Sequence, residues 1–504
     1  MGNIRMTVLA LRCANQILIL VSGIFFISSV ALGAEEIENF GTATESMRRG
    51  NYEEAIRFFT QAIDSGQLSI DKQVVAYGNR SSANLFTGRY VEAIADASVV
   101  IRLSPDTPYA YYNRGMAYCL SDKIDLGIAD LNIAVQSATS DPLPFYGRGT
   151  CYNRKHQYVK AIADLDKAIR LNPNFSSALT NRGSSFLALG QYGKALPDFT
   201  AAAKLTPDDA NIRFNLGLVH IALKQYDNAI AELNEAIRLR PDYAEAFHNR
   251  GAIYSWKGQN EEALLDLNEA IRLDPQYPRA LFNRGNVYTE LGKYDLAIAD
   301  YGVVLQANPS DFKAIYNRGV AYFQKGDYQS AISDLDMVVR SDRSSAEAYY
   351  LRGASRFILG QFPEANADLE EAVKQKPAER TAYLLLYITL GKTQNPSLKE
   401  FGRNIANSER TDWPAPILAL YAQKATPDQV RAAAAQGNAK AQEKQKCQAN
   451  FYIGEFELQR NNIEAATLLL SQAESSCARN TVEHRAAVSE LKRFKLREPM
   501  KTIK

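Results

Sequence analysis

The sequence predicts an all-α solenoid of about ten helix–turn–helix repeats with a C-terminal helical capping region, and three observations carry that prediction. Eight glycines recur every 34 residues, at Gly115, Gly149, Gly183, Gly217, Gly251, Gly285, Gly319 and Gly353, and a period of that length marks a stacked repeat. A ring usually follows each glycine by three residues (Tyr118, Tyr152, Phe186, His220, Tyr254, Tyr288 and Tyr322), and an alanine follows by twelve (Ala161, Ala195, Ala229, Ala263, Ala297, Ala331 and Ala365). A proline closes most units, at Pro105, Pro173, Pro207, Pro241, Pro275, Pro309 and Pro377, where a second helix should stop.

Each element has a physical reason. Two antiparallel helices pack closely only where one side chain at the crossing is very small, so the glycine of the first helix is expected to meet the alanine of the second. The ring then fills the space between neighbouring units. Extending the register backwards adds a unit through Ser81, Tyr90, Ala93 and Pro105, and a first one through Gly50, Tyr52, Ala55, Phe59 and Ala62. That first unit is offset by four residues, placed in the loop from Ser65 to Asp71. Ten repeats over residues 36–379 make one elongated domain, because no repeat of this size buries a core alone.

These positions resemble the tetratricopeptide (TPR) repeat, with Tyr77, Tyr111, Phe145 or Phe247 where the motif has tryptophan. The resemblance implies a right-handed TPR superhelix whose first helices line the concave side. It also implies that the array binds other proteins.

Composition fits a folded protein: 46% of residues are hydrophobic and 23% charged, with a net charge of +2 on 504 residues. So near-neutral a chain has no electrostatic footprint for nucleic acid. The one basic run, residues 492–504, is expected to fray as a disordered tail. At the other end, Arg5 and Arg12 precede an uncharged, mostly apolar stretch from Ile17 to Ala34 that ends in Ala31-Leu32-Gly33. Residues 1–33 are therefore expected to be an export signal, placing the protein in the periplasm. The alternative is an uncleaved inner-membrane anchor formed by residues 17–34. No cysteine stands at the end of this stretch, where a lipoprotein would carry one.

An exported chain meets an oxidising compartment. Cys447 and Cys477 lie equally far from residue 462, and Asn461 and Glu464 have the spacing of a capping box that starts a helix there. The flanking helices should form a hairpin with the two thiols facing each other, and a disulfide is expected. Cys119 and Cys151 occupy related but inequivalent places in adjacent repeats, and their pairing is left open. His156, His220, His248 and His484 are scattered and no paired-cysteine spacing occurs, so no metal site is expected. Neither a catalytic cluster nor a cofactor motif stands out. Paired acids such as Glu261-Glu262 and Glu370-Glu371 read as solvated carboxylates at the starts or outer faces of second helices.

The chemistry that stands out is on the first helices. Two residues before the repeat glycine stand Asn79, Asn113, Asn181, Asn215, Asn249, Asn283 and Asn317, interrupted by Gly147 and Leu351. Side-chain amides both donate and accept, so a column of them can hold the backbone of an extended peptide whatever its sequence. The TPR part of O-GlcNAc transferase, which this array resembles, implies such a use; no transferase domain follows here. One residue earlier come Tyr112, Tyr146, Phe214, His248, Phe282, Tyr316 and Tyr350. Rings beside amides make a groove suited to a partly hydrophobic segment. The competing view is that asparagine is simply an ordinary residue at this point of the repeat.

Arg80, Arg114, Arg148, Arg182, Arg250, Arg284, Arg318 and Arg352 are each followed sixteen residues later by an aspartate, from Asp96 to Asp368. Where the arginine becomes Leu216 the later residue becomes Glu232. This covariation predicts an ion pair joining the two helices of each repeat.

After the array, residues 380–491 read as a helical capping domain. Trp413-Pro414 opens a different helical segment, and Thr426-Pro427-Asp428-Gln429 carries a capping residue, a first-turn proline and a box glutamine. Trp413, Tyr421, Phe451-Tyr452, Gly454 and Val482-Glu483-His484-Arg485 resemble the C-terminal segment of the NlpI family of bacterial outer-membrane TPR lipoproteins. That resemblance implies an envelope adaptor that organises cell-wall enzymes or their proteolysis, although the family's lipid-bearing cysteine is absent and the repeats are about twice as many. The expected function is thus an exported scaffold binding segments of envelope proteins. A self-associating structural or secretion-system subunit is the alternative.

Overall fold

A computed structural model describes residues 34–376, 380–395, 397 and 413–497. The expected export signal and Pro377 lie outside the described residues. Ten helix pairs follow one another: α1 (Ala34–Arg48) and α2 (Tyr52–Asp64), α3 (Ile70–Phe86) and α4 (Tyr90–Leu103), α5 (Pro108–Leu120) and α6 (Ile124–Ser137), α7 (Pro142–Arg154) and α8 (Tyr158–Leu171), α9 (Ser176–Ala188) and α10 (Tyr192–Leu205). Then come α11 (Ala210–Ala222) and α12 (Tyr226–Leu239), α13 (Ala244–Trp256) and α14 (Asn260–Leu273), α15 (Pro278–Glu290) and α16 (Tyr294–Ala307), α17 (Phe312–Lys325) and α18 (Tyr328–Ser341), α19 (Ala346–Leu359) and α20 (Phe362–Gln375). Further helices follow: α21 (Arg380–Lys392), α22 (Ala415–Tyr421), α23 (Pro427–Ala434), α24 (Ala439–Gln459), α25 (Ile463–Ser476) and α26 (Val482–Arg497). No strand occurs among the described residues. The extra residues of the first repeat fall between α2 and α3, where the offset was placed.

The close helix crossing differs in detail from the expectation. A Cβ added at Gly149 would lie 2.8 Å from Leu165, and one at Gly285 would lie 2.8 Å from Tyr301. The glycine thus receives the side chain sixteen residues later rather than the alanine. The alanine matters through its backbone, Ala161 O lying 3.2 Å from the Gly149 position. Both partners must be small for the chains to approach, but the volume between them is filled by a Leu, Phe or Tyr.

The arginine–aspartate pairs form within each unit. Arg80, Arg148, Arg284 and Arg318 grip Asp96, Asp164, Asp300 and Asp334 with two parallel bonds of 2.7–2.9 Å. The aspartates are nearly inaccessible, from 7% exposed at Asp164 to 2% at Asp368. Fork-to-fork geometry of this kind is strong and directional. It also pushes the guanidiniums of Arg114, Arg148, Arg284 and Arg318 above their ordinary range. In the repeat where leucine replaces the arginine, Glu232 instead meets Arg213 at 3.2 Å, one turn earlier on α11.

Several of these arginines also have a second arm. The remaining nitrogen reaches a residue sixteen positions earlier, on the preceding repeat: Arg148 to Asn132 at 2.9 Å, Arg182 to Asp166 at 2.6 Å, Arg284 to Asn268 at 2.8 Å. These arginines therefore tie their own hairpins to the ones before them. Polar residues at these positions were the available signal; at Arg318 the corresponding residue is Gly302.

The chain divides into two compact units between Ile253 and Tyr254. The helices after the array share one continuous apolar core with the last repeats, running from Leu281 through Phe323 and Phe357 to Phe451, Leu470 and Leu491. The expected disordered tail begins inside α26, which continues to Arg497. Arg493 is held there by the carbonyls of Phe357 and Ile358, at 3.0 and 2.6 Å.

Both cysteine pairs stand at disulfide distance. Cys447 and Cys477 have Cα atoms 4.9 Å apart, and Cys119 and Cys151, on the neighbouring helices α5 and α7, are 5.7 Å apart. The capping box expected at Asn461 does not form. Asn461 takes the left-handed position after α24, with φ of 60°, and Asn462 becomes the N-cap of α25; asparagine tolerates that conformation better than other side chains. The box at Thr426 and Gln429 does form, with both reciprocal bonds.

Candidate functional site: the face of the first helices

Within the first unit α3, α5, α7, α9 and α11 touch in succession, as do α15, α17, α19 and α21 in the second, while successive second helices have no comparable contact among the described residues. Helices that meet at every step lie on the inner side of a curved stack. The asparagine column sits on these helices, and its members divide by what they bind.

Asn113, Asn181 and Asn317 each donate from Nδ2 to the residue 31 positions earlier, Ser82 Oγ at 2.8 Å, Thr150 Oγ1 at 2.9 Å and Asn286 Oδ1 at 2.9 Å. These amides join adjacent first helices. Asn249 donates to Glu245 O of its own helix at 2.7 Å. Asn79 and Asn215 are partly exposed and have no such hydrogen bond to the described residues. A hydroxyl or amide stands 31 positions before Asn113, Asn181 and Asn317, at 82, 150 and 286, and Arg48 stands before Asn79; before Asn215 stands Ser184, whose hydroxyl donates instead to Thr180 O of its own helix, so this position alone does not decide the split.

The rings likewise divide. Tyr112 and Tyr146 are buried in the cores between repeats, at 8% and 4% exposure, and Tyr146 packs on Phe175 with centroids 4.8 Å apart. Burial, with Tyr146 nearby, pushes the Tyr112 hydroxyl far above its ordinary titration range. Phe214 packs on Tyr243 at 4.7 Å and Phe282 on Tyr301 at 5.8 Å. His248 is 7% exposed. Tyr316 and Tyr350 lean on the shared core of the second unit and remain partly open. Most of this ring column is therefore packing between repeats, because a first helix has too little surface to serve its neighbours and solvent equally.

In the second unit the last part of the chain lies against the ends of the first helices. Arg485 donates to Phe323 O at 2.9 Å and to Gln324 O, Ser489 to Ile358 O at 2.7 Å, and Arg493 to Phe357 O and Ile358 O. Behind α26, Lys392 sits between Glu455 and Glu490 at 2.9 and 3.0 Å. Burial and the neighbouring Glu490 push the Glu455 carboxyl up to about 7 despite the lysine. Residues of the segment after Trp413 hold this assembly together. Trp413 donates to Gln448 and Gln448 to Glu483, each at 2.8 Å, Tyr421 donates to Tyr452 O at 2.7 Å, and Leu470 lies 3.0 Å from where a Gly454 Cβ would be.

Sequence profiles of the tetratricopeptide repeat match residues 142–175, 180–244, 256–292, 285–326 and 312–344. The chain carries tetratricopeptide repeats, an architecture that generally serves as a non-catalytic scaffold for protein interaction. No matched range reaches the segment after residue 413. Among solved structures, a tetratricopeptide repeat protein from Parabacteroides merdae is 22% identical over 50% of this chain and 99% of its own, with a TM-score of 0.38. YrrB, described as a TPR protein with an unusual peptide-binding site, is 25% identical over 37% of this chain and 95% of its own, with a TM-score of 0.33. The TPR domain of P58(IPK) is 19% identical over 72% of this chain and 100% of its own, with a TM-score of 0.32. No curated protein matches the sequence.

Proposed function

We propose that this protein is an exported scaffold that binds extended segments of envelope proteins along the inner side of its first helices. The observation that carries the reading is the pair of amides at Asn79 and Asn215, which are partly exposed on the first helices and have no hydrogen bond to the described residues. A side-chain amide there can take one donor and one acceptor from a bound backbone. The asparagines at 113, 181 and 317 position the neighbouring helices and support the groove rather than bind in it.

The envelope setting rests on different ground: the apolar N-terminal stretch of the sequence, two cysteine pairs at disulfide distance, and the likeness of the last hundred residues to the NlpI family. Among the described residues no helix is long and apolar enough to cross a membrane. Pull-down from envelope and cytosolic extracts, with the wild type and the Asn79→Ala/Asn215→Ala variant, tests both parts. Partners found in the envelope extract and lost by the variant support the proposal. Partners drawn only from the cytosol, or retained by the variant, refute it.

Exposed apolar side chains favour self-association as a second reading. Val91 and Val159, near the starts of α4 and α8, are 77% and 73% exposed. Sedimentation that stays monomeric at all accessible concentrations would exclude it.

A further inference from the structure

Polar bonds hold α26 to the second unit more than apolar burial does. Its buried apolar residues are Ala486, Ala487 and Leu491, with Val482 and Phe494 partly buried beside them. Against these stand the bonds of Arg485 to the carbonyls of Phe323 and Gln324, of Ser489 to Ile358 O, and of Arg493 to the carbonyls of Phe357 and Ile358. Cations suit these positions, where a helix ends in unpartnered carbonyls and a negative dipole. Water can take over such bonds, but it cannot replace the burial of large side chains, so a helix seated in this way leaves at lower cost than a core helix. The covalent tie also stops short of it. The Cys447–Cys477 pair links the end of α25 to α24, and residues 478–481 then lead to α26. The hairpin before α26 is closed whether or not α26 is seated.

Beneath α26 lies a cluster of charges that α26 itself completes. Lys392 of α21 faces two carboxylates, Glu455 of α24 at 2.9 Å and Glu490 of α26 at 3.0 Å, and the rings of Phe357 and Phe362 stand 5.7 and 5.4 Å from its ammonium. Glu455 is fully inaccessible, and beyond the lysine contact neither of its oxygens has a hydrogen-bond partner among the described residues. Arg493, paired with Glu490 on α26, also acts on it. So do Tyr421 of α22 and Tyr452 of α24, whose hydroxyls burial raises well above their ordinary range. From α25 no charged side chain is buried toward it, Glu464 and Glu474 being exposed.

With α26 seated, two carboxylates crowd one buried ammonium, and burial together with Glu490 raises the Glu455 carboxyl from 4.5 to about 7. With α26 away, Glu490 and Arg493 leave as a pair of their own, Lys392 keeps Glu455 as its partner, and water reaches both. The seated state therefore holds a proton that the released state gives up. Its contribution to closure is complete below about 4.5 and is lost as pH rises through about 7.

We propose that α26 is a proton-controlled strap, which closes the ends of α17 and α19 in acid and detaches from them as the pH rises toward neutral. Release uncovers the last carbonyls of both helices, with the left-handed glycines Gly326 and Gly360 beside them. The strap lies in the second unit and uses none of the asparagine positions, so it stands or fails independently of the reading above.

The test is hydrogen exchange of the intact protein from about pH 5 to pH 8, with rates corrected for the intrinsic pH dependence of exchange and with α9 as internal reference. Protection of α26 should fall about tenfold relative to α9 while α24 and α25 keep theirs, and Glu455→Gln should flatten the fall. Glu490→Gln, which removes the second carboxylate from the α26 side, should shrink it as well. Protection of α26 that does not change with pH in the wild type would overturn the proposal. So would a fall shared equally by α24 and α25, or one that both substitutions leave intact.

Discussion

The two units are written in the same repeat but hold themselves together differently. In the first unit the buried residues fall into small clusters, each lying within one or two repeats, such as Leu131 with Met116, Leu165 with Phe175, and Phe199 with Ile212. In the second, one core runs from Leu281 to Leu491 and joins the late repeats to the helices that follow. A chain of small cores is stable as a sum of neighbour terms and can open piece by piece. A continuous core makes its helices unfold together. On the function proposed above, the first unit is the one whose inner face would adapt to a segment, while the second is held by α26.

The sharpest way to break this comparison is to empty equivalent volume in each unit. Phe451→Ala and Phe199→Ala both remove a fully buried ring, and each should destabilise its surroundings by about 3 to 5 kcal/mol. Hydrogen exchange should differ in reach: Phe451→Ala should accelerate exchange from α17 to α26 together, and Phe199→Ala only in α9 to α12. Equal reach in the two units would contradict the distinction.

Next in size are the ion pairs and the cysteine links. Asp368, which accepts from both Arg352 and Arg356, leaves two half-buried guanidiniums with Asp336 as their remaining carboxylate when changed to asparagine, and the loss should be about 2 to 3 kcal/mol. Exchanging Arg352 and Asp368 should lose less than either single change; additive losses measured by thermal unfolding would refute the pairing. Removing the Cys447–Cys477 link, which spans 30 residues in sequence, should cost about 3 to 4 kcal/mol and loosen the whole second unit. Removing Cys119–Cys151 should loosen only α5 to α8.

The smallest effect is on pH dependence, and it separates the units again. Glu455 has its folded pKa raised from 4.5 to about 7, so the folded second unit binds an extra proton between these values. The stabilisation from the neutral carboxyl is present below the unfolded pKa and lost as pH rises through about 7. Glu455→Gln should flatten that slope, while melting of the first unit should show no such term. A slope unchanged by the substitution would remove Glu455 from the account.

Much of this was legible in the sequence for a simple reason: a repeat shows the same physical constraint many times over. The glycine period, the number of hairpins and the arginine–aspartate covariation each recur in register, and Glu232 betrayed the exception at Leu216. What escaped was set by contacts between units of the period. The glycine's true neighbour sixteen residues later, the second arm of several arginines and the capture of asparagines 31 residues away depend on how hairpins stack. The return of α26 depends on two non-repeating arginines far along the chain, and no local pattern announces it. The ring column was misleading because the same residue type serves a groove or a core, and only the stacking decides.

The central claim is that free amides on the inner face of the first unit bind extended protein segments. It is tested most directly by selecting peptides from a random display library on the wild type and measuring their affinity for two double variants alongside thermal unfolding. Asn79→Ala/Asn215→Ala should weaken binding about tenfold with the melting temperature kept, whereas Asn181→Ala/Asn317→Ala should lower the melting temperature with affinity largely kept. Peptides that bind equally to wild type and to the first variant would contradict the account.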